Sequence, residues 1–64
     1  MMYVGQLLKG LNLTGGQVSI RKQDRIYGLT YLGGGSPERC IKRFEWRAVL
    51  GSCIVDNVLI LYVD

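Results

Sequence analysis

Alternation of apolar and polar residues over 17–32 predicts an antiparallel β-hairpin in the first half of the chain. A turn at Gln23 and Asp24 divides this stretch into two short strands with Ile20 opposite Tyr27 and Val18 opposite Leu29. This register gives the pair one apolar and one polar face. The apolar face then carries Val18, Ile20, Tyr27, Leu29 and Tyr31. Since antiparallel pairs commonly bury one face and solvate the other, we expect this apolar face to lie on the core.

The C-terminal stretch over 52–63 alternates between two faces that are both apolar. A turn at Asp56 and Asn57 predicts a hairpin, and one long bent strand is the alternative. One face carries Cys53, Val55, Val58, Ile60 and Tyr62, and the other carries Ser52, Ile54, Leu59, Leu61 and Val63. Both faces need cover, and a chain of 64 residues has little left for the second one. We therefore expect a homodimer whose interface includes Val58, Ile60, Leu61 and Tyr62.

Three start signals predict a helix over about 37–48. Ser36 is a favoured N-cap residue, Pro37 suits the first helical position, and Glu38 puts a negative charge in the first turn. The predicted inner face has Cys40, Ile41, Phe44 and Ala48, and the outer face has Arg39, Lys42, Arg43 and Arg47, with Trp46 and Leu50 among them. A strand over 42–50 is the alternative, because apolar and charged residues also alternate there.

The first fourteen residues fit a helix and a strand about equally well. Helical spacing relates Val4, Leu7, Leu8 and Leu11. However, Gly5 and Gly10 each disfavour a helix interior by roughly 1 kcal/mol relative to Ala. We predict a strand that ends near Lys9.

Three consecutive glycines, at 33–35, precede the predicted helix. Free N–H groups at a helix start attract anions, so a phosphate loop is one interpretation. Glu38 already complements the helix dipole there and would repel a phosphate, and no Lys completes the motif. We interpret the glycines as a flexible connector.

Together these elements predict a small single domain over 1–64 of the α+β class. It has antiparallel β-hairpins with one amphipathic helix packed on the sheet. The alternative fold is a small all-β barrel of about five strands, in which the segment after the glycines is a strand.

Charge is concentrated in the middle of the chain. The sequence has eight Lys and Arg, five Asp and Glu, and a net charge of +3. Residues 21–47 hold seven cations and three acids, a net of +4, and the rest holds one cation and two acids, a net of −1. A basic segment of this kind fits an anionic partner such as nucleic acid. The candidate nucleic-acid-binding residues are Arg21, Lys22, Arg25, Arg39, Lys42, Arg43, Trp46 and Arg47.

The residue types argue against catalysis, metal binding and cofactors. Without His, the chain lacks the Ser-His and Cys-His nucleophile systems and most zinc ligand sets. Cys40 falls on the apolar helix face, which predicts a buried and inert thiol. The acids are scattered and form no pair with a spacing typical of acid–base catalysis. We therefore expect a protein that is not an enzyme and holds no metal or cofactor.

The N-terminus and the apolar runs bear on location. Residues 1–10 have no basic region before their apolar stretch, which predicts no signal peptide. Cys40 and Cys53 are then expected to be reduced, buried thiols in the cytoplasm, and a Cys40–Cys53 disulfide is the alternative. The longest apolar run, at 48–63, is interrupted by Asp56 and Asn57, so we expect no membrane contact.

Two functions follow from these features. The leading hypothesis is a small non-catalytic nucleic-acid-binding or regulatory protein that uses its basic helix face and acts as a homodimer. Its cations contact phosphates, and Trp46 stacks on a base. The alternative is a protein-binding modulator or inhibitor that uses its apolar C-terminal strands, because exposed strands add readily to another sheet.

Overall fold

Two helices and four strands make up the described part of the chain. The computed structural model describes residues 1–11, 16–24, 26 and 28–64. In chain order the elements are α1 (Val4–Leu11), β1 (Gln17–Asp24), β2 (Gly28–Gly35), α2 (Pro37–Phe44), β3 (Val49–Val55) and β4 (Val58–Val63). The predicted α+β class is confirmed. The strands form an open sheet with edges at β2 and β3, so the alternative of a closed barrel is wrong.

The sheet joins two antiparallel hairpins through a parallel pair at its centre. Its strand order is β2-β1-β4-β3, with β1 parallel to β4. α2 connects the edge strand β2 to the opposite edge strand β3. This crossover places the two hairpins side by side, so that β1 of the first hairpin pairs with β4 of the second.

The core lies between the helices and one face of the sheet, which we call the covered face. The sheet contributes Val18, Ile20, Leu59, Leu61 and Val63, and the helices contribute Val4, Leu8, Cys40 and Phe44. These side chains are almost entirely removed from water. We call the opposite side of the sheet the open face, because neither described helix packs on it.

The N-terminal segment is a helix, so the strand predicted there is wrong. Its helical spacing is decisive because Val4 and Leu8 enter the core. Gly5 is needed at the crossing with the end of α2, since a Cβ there would lie 2.6 Å from Cγ of Glu45. The main-chain N–H of Tyr3 donates to Oε1 of Gln6 at 3.1 Å, which is half of a capping box.

The predicted first hairpin is confirmed, but its register is wrong. Ile20 lies opposite Gly33, and Arg21 lies opposite Tyr31, with a bulge between these pairs. As a result, Leu29 and Tyr31 lie on the open face rather than beside Val18 and Ile20. The predicted turn at Gln23 and Asp24 is also wrong, because both are strand residues. Tyr27, which belonged to the predicted apolar face, lies outside the described residues.

The three glycines belong to β2, so their interpretation as a flexible connector is wrong. A Cβ at Gly33 would lie 3.0 Å from Cζ of Phe44, so the missing side chain lets α2 pack directly on the strand. Gly35 has a φ of +130°, which L side chains rarely adopt. Close packing and backbone conformation therefore both require glycine here.

The start of α2 and the C-terminal hairpin agree with the prediction. Oγ of Ser36 accepts from the main-chain N–H of Arg39 at 3.2 Å, which caps the helix. The helix ends at Phe44, four residues earlier than predicted. Asp56 and Asn57 have φ values of 50° and 65°, as a tight type I′ turn requires, and the two predicted faces are confirmed.

Candidate nucleic-acid interface

The end of α2 and the turn after it border a depression that is open to solvent. Its volume is about 440 Å³. It is lined by Lys42, Arg43, Phe44, Glu45, Trp46 and Arg47. We call it the α2 depression. Four of the predicted nucleic-acid-binding residues therefore meet at one place.

The backbone around Trp46 is held by the first turn of α1. The N–H of Val4 donates to the carbonyl of Arg47 at 2.9 Å, and the N–H of Gly5 donates to the carbonyl of Glu45 at 3.0 Å. These N–H groups have no partner within their own helix, and the carbonyls follow the end of another helix. Each helix end thus satisfies the other, which fixes the turn on both sides of Trp46.

The indole of Trp46 is presented to solvent from this rigid turn. Its exposure is 74%, which is high for so large an apolar side chain. Tyr3 contacts it edge-on, with ring centroids 5.9 Å apart and planes at 71°. An edge contact steadies the ring while leaving ring surface free for a stacking partner.

The charge in the α2 depression is predominantly positive. Lys42, Arg43 and Arg47 are exposed cations, and Glu45 is the one acid among the lining residues. Nζ of Lys9 on α1 lies 3.4 Å from Oε2 of Glu45 and offsets its charge. The three cations of the rim are left to attract an anion.

Two of these cations have defined positions. The guanidinium of Arg43 lies 5.3 Å from the centroid of the Phe44 ring, a cation–π distance. Nη1 of Arg47 donates to the main-chain carbonyl of Asp64 at 3.0 Å. Each contact uses part of the guanidinium, and an Arg has five N–H donors in all.

The other predicted nucleic-acid-binding residues lie away from the α2 depression. Arg39 is exposed one turn earlier on α2, where its Cδ is close to Gly35. Arg21 is half-buried on the open face, and its Nε donates to Oγ of Ser19 at 3.4 Å. Lys22 is exposed on β1. Arg25 lies outside the described residues.

The predicted oligomer-interface residues are split between the two faces of β4. Val58, Ile60 and Tyr62 lie on the open face. Leu61 has no exposure and belongs to the core, so it is not available to a partner of the folded chain. β4 is also an inner strand, which leaves β3 as the edge of the C-terminal hairpin.

The two thiols are free and lie in different environments. Sγ of Cys40 is buried 3.9 Å from the carbonyl of Val18. Burial raises the pKa of the Cys40 thiol, and the opposing charges of Arg43 and Arg39 do not outweigh it. The burial predicted for Cys53 is wrong: this residue is exposed, and its Sγ lies 3.6 Å from Oη of Tyr62. Among the described residues, no group of His, Cys, Asp or Glu could hold a metal ion.

Sequence reasoning missed the contribution of α1 to this site. The predicted N-terminal strand, which ends near Lys9, gives no reason to place Tyr3 or Lys9 near the end of α2. The spacing of Val4 and Leu8 and the Gln6 cap were the available signals for a helix.

Comparisons of the chain with protein-family models, curated proteins and solved structures found no match. The fold and the side chains therefore carry the functional argument alone. Neither described helix has the length or apolar character to cross a bilayer.

Proposed function

We propose that the protein is a small non-catalytic nucleic-acid-binding or regulatory protein, and that the α2 depression is its main contact site. The observation that supports this is the meeting of Lys42, Arg43 and Arg47 around the exposed Trp46. Cations alone would suit many anions, and an exposed aromatic ring alone would suit many apolar groups. Their combination fits a ligand that carries both phosphates and planar bases.

In the proposed complex the backbone phosphates lie along the cations of the depression, and one base stacks on Trp46. The turn is fixed by the hydrogen bonds from α1, so little ordering is needed on binding. Because the contacts are mainly to phosphate, binding depends on salt more than on sequence. The reduced thiols suit the cytoplasm, where we propose that the protein acts.

Binding of a labelled oligonucleotide over a range of salt concentrations tests this proposal. The double variant Arg43→Ala with Arg47→Ala removes two cations of the depression. We expect weaker binding and a salt slope that is shallower by about 1.4, since each phosphate contact on a single strand contributes about 0.7. Unchanged affinity and slope would contradict the proposal.

A charge-matched control separates the site from the overall charge. The double variant Lys22→Ala with Arg39→Ala removes the same two charges from positions that do not line the depression. We expect this control to lose less affinity than the Arg43 and Arg47 variant. Equal losses would mean that net charge, rather than the depression, governs binding.

We propose that the protein acts as a homodimer joined at the free edge of β3. Leu50, Ile54 and Val55 are exposed on this strand, and Ile54 reaches 72% exposure. β3 has neither a charged residue nor a proline, which are the usual devices that protect a sheet edge. Pairing β3 with β3 of a second copy satisfies the free main-chain groups of this edge, brings these side chains beside their counterparts and leaves the open face accessible.

Sedimentation of Ile54→Lys against the wild-type chain tests the dimer. We expect a wild-type dimer at micromolar concentration and a monomeric Ile54→Lys variant, because a charge blocks the edge. Leu29→Lys on β2, the opposite edge strand, is the matched control and should remain dimeric. A wild-type chain that stays monomeric would contradict the homodimer.

The same edge favours one second candidate, a protein-binding modulator that adds β3 to the sheet of another protein. This candidate predicts a monomeric wild-type chain with a stable protein partner. That complex should be lost in Ile54→Lys and retained in Leu29→Lys. A double variant of Arg43 and Arg47 should leave it intact.

A further inference from the structure

A row of two tyrosines with an arginine between them crosses the open face. Tyr31 of β2 lies opposite Arg21 of β1, and Arg21 lies opposite Tyr62 of β4. These positions alternate with Ile20 and Leu61, which are buried under the helices. Three neighbouring strands thus contribute one side chain each to the same row.

Both tyrosines lie across glycines. Oη of Tyr31 is 2.7 Å from the point where a Cβ on Gly34 would be. Cδ2 of Tyr62 is 3.9 Å from the corresponding point on Gly51, and its Oη is 3.6 Å from Sγ of Cys53. Each ring therefore extends along the sheet over a position without a side chain. Tyr31 is largely exposed, and Tyr62 is half-buried.

The row lies beside a nearly buried pair of residues on the open face. Ser19 of β1 and Ile60 of β4 lie opposite each other and are 7% and 6% exposed, although no described helix covers them. The Nε of Arg21 donates to Oγ of Ser19 at 3.4 Å. Tyr31, in contrast, is 64% exposed. A partner that approaches the open face meets aromatic rings and a guanidinium before it meets the backbone.

The charge of the open face disfavours a dimer in which two copies of the chain meet through their open faces. Among the described strand residues of this face, Arg21 is the one charged side chain, and no acid accompanies it. A symmetric contact between two open faces would bring two copies of this arginine near each other without a counter-ion. An anionic partner meets no such penalty.

The spacing of the rings suits unpaired nucleotides. Tyr31 and Tyr62 stand two strand spacings apart, which is roughly 10 Å. Bases inside a duplex are paired and stacked on their neighbours, so they have no free face to offer either ring. An extended single strand can place one base on each ring with a phosphate between them, near Arg21.

We propose that the open face is a second nucleic-acid surface, specific for unpaired nucleotides, with bases stacked on Tyr31 and Tyr62 and a phosphate bound by Arg21. This inference rests on the proposed function, because it assumes that the protein binds nucleic acid. It adds the ligand class: the open face takes single strands, whereas the cations of the α2 depression contact phosphates of single strands and duplexes alike.

Fluorescence anisotropy with a labelled single-stranded oligonucleotide, and with the same strand annealed to its complement, tests this surface. Tyr31→Ala and Tyr62→Ala should each weaken single-strand binding by about five- to 150-fold, the range measured for loss of one base–aromatic stack. Duplex binding should stay at the wild-type level. Tyr31→Phe and Tyr62→Phe are the matched controls and should bind as the wild type does, because the ring remains.

The outcomes separate the two proposals. If the alanine variants bind single strands as tightly as the wild type while the Arg43 and Arg47 variant loses binding, the open-face proposal is wrong and the α2 depression stands. If the wild-type chain binds neither oligonucleotide at low salt, both proposals fail.

A measurement on the wild-type chain removes the dependence on folded variants. Ultraviolet cross-linking to the single strand, followed by mass spectrometry of the peptides, should modify Tyr31 or Tyr62 as well as Trp46. Cross-links confined to Trp46 would overturn the open-face proposal.

Discussion

The two faces of the sheet are built from alternate residues of the same strands, and both contain nearly buried residues. What lies above those buried residues differs between the two faces. On the covered face, aliphatic side chains such as Ile20 and Leu61 lie under two helices. On the open face, Ser19 and Ile60 are nearly as buried without any described helix above them. Arg21 is one neighbour that contacts this pair, since its Nε donates to Oγ of Ser19 at 3.4 Å. A residue of this sheet can therefore be nearly buried without a described helix above it.

Because of this difference, we assign stability mainly to the covered face and ligand recognition to the open face. The part of the covered face that lies under the helices supplies the cooperative core that a chain of 64 residues needs, and its side chains, such as Ile20 and Leu61, have no access to a ligand. The open face contributes rings that are already ordered and partly exposed. Stability and recognition can therefore be changed separately, and the following predictions test that separation.

The largest expected effect comes from removing a side chain of the covered face. Leu61→Ala should lower the free energy of unfolding by about 2–5 kcal/mol, because it leaves a cavity in the core. Val55→Ala, at an exposed position of the open face, should change it by no more than about 0.5 kcal/mol. Urea unfolding followed by circular dichroism measures both. Similar losses in the two variants would show that the faces contribute equally to stability.

A matched pair of glycines in α1 tests how closely the helices pack above the covered face. Gly5→Ala should destabilise the fold by about 1–3 kcal/mol, because the new Cβ meets Glu45. Gly10→Ala meets nothing within 4 Å and should stabilise it by about 0.5–1 kcal/mol. Thermal unfolding gives both signs. Stabilisation by both substitutions would disprove the close crossing of α1 with the end of α2.

The smallest effect is a pH dependence that belongs to the covered face. Burial raises the pKa of Cys40 above its ordinary value of 9.0, so the unfolded chain releases this proton first. Stability should therefore fall as pH rises above 9, by less than the limit of about 1.4 kcal/mol per pH unit for one proton. Unfolding curves between pH 7 and 10 should show this slope in Cys53→Ala and lack it in the double variant Cys40→Ala with Cys53→Ala. An unchanged slope in the double variant would assign it to another group.

Local signals predicted the parts of the fold that depend on neighbouring residues. Ser36 and Pro37 start α2 by capping and by backbone geometry, which act within one turn. Asp56 and Asn57 adopt the positive φ values of a tight turn, and this fixes the faces of β3 and β4. Each of these features is complete within a few residues.

Features set by distant contacts escaped prediction. Gly5 weakened the case for a helix at the N-terminus, but its purpose is to admit Glu45, which is 40 residues later in the chain. The register of the first hairpin shifts at a bulge beside Gly33, a residue whose missing side chain admits Phe44 of α2. The wrong register placed Tyr31 on the core side, which hid the tyrosine row of the open face.

Only the part of the candidate site that depends on neighbouring residues could be predicted from the sequence. Helical periodicity correctly predicts that Lys42 and Arg43 lie on the outward face of α2. It also predicts an outward Trp46, but Trp46 lies in the turn beyond the end of the helix at Phe44. Tyr3 and Lys9 enter the site through the packing of α1 on α2, which no local pattern shows.

The most direct test of the account uses Trp46, which is the only tryptophan of the chain. Its emission should change saturably when a single-stranded oligonucleotide is added at low salt, and added salt should reverse the change. With three cations at the depression, the affinity should fall with a logarithmic salt slope of about −2.1. Emission that stays constant up to about 1 mM oligonucleotide, tenfold above a weak non-specific Kd of about 10⁻⁴ M, would contradict nucleic-acid binding at the α2 depression.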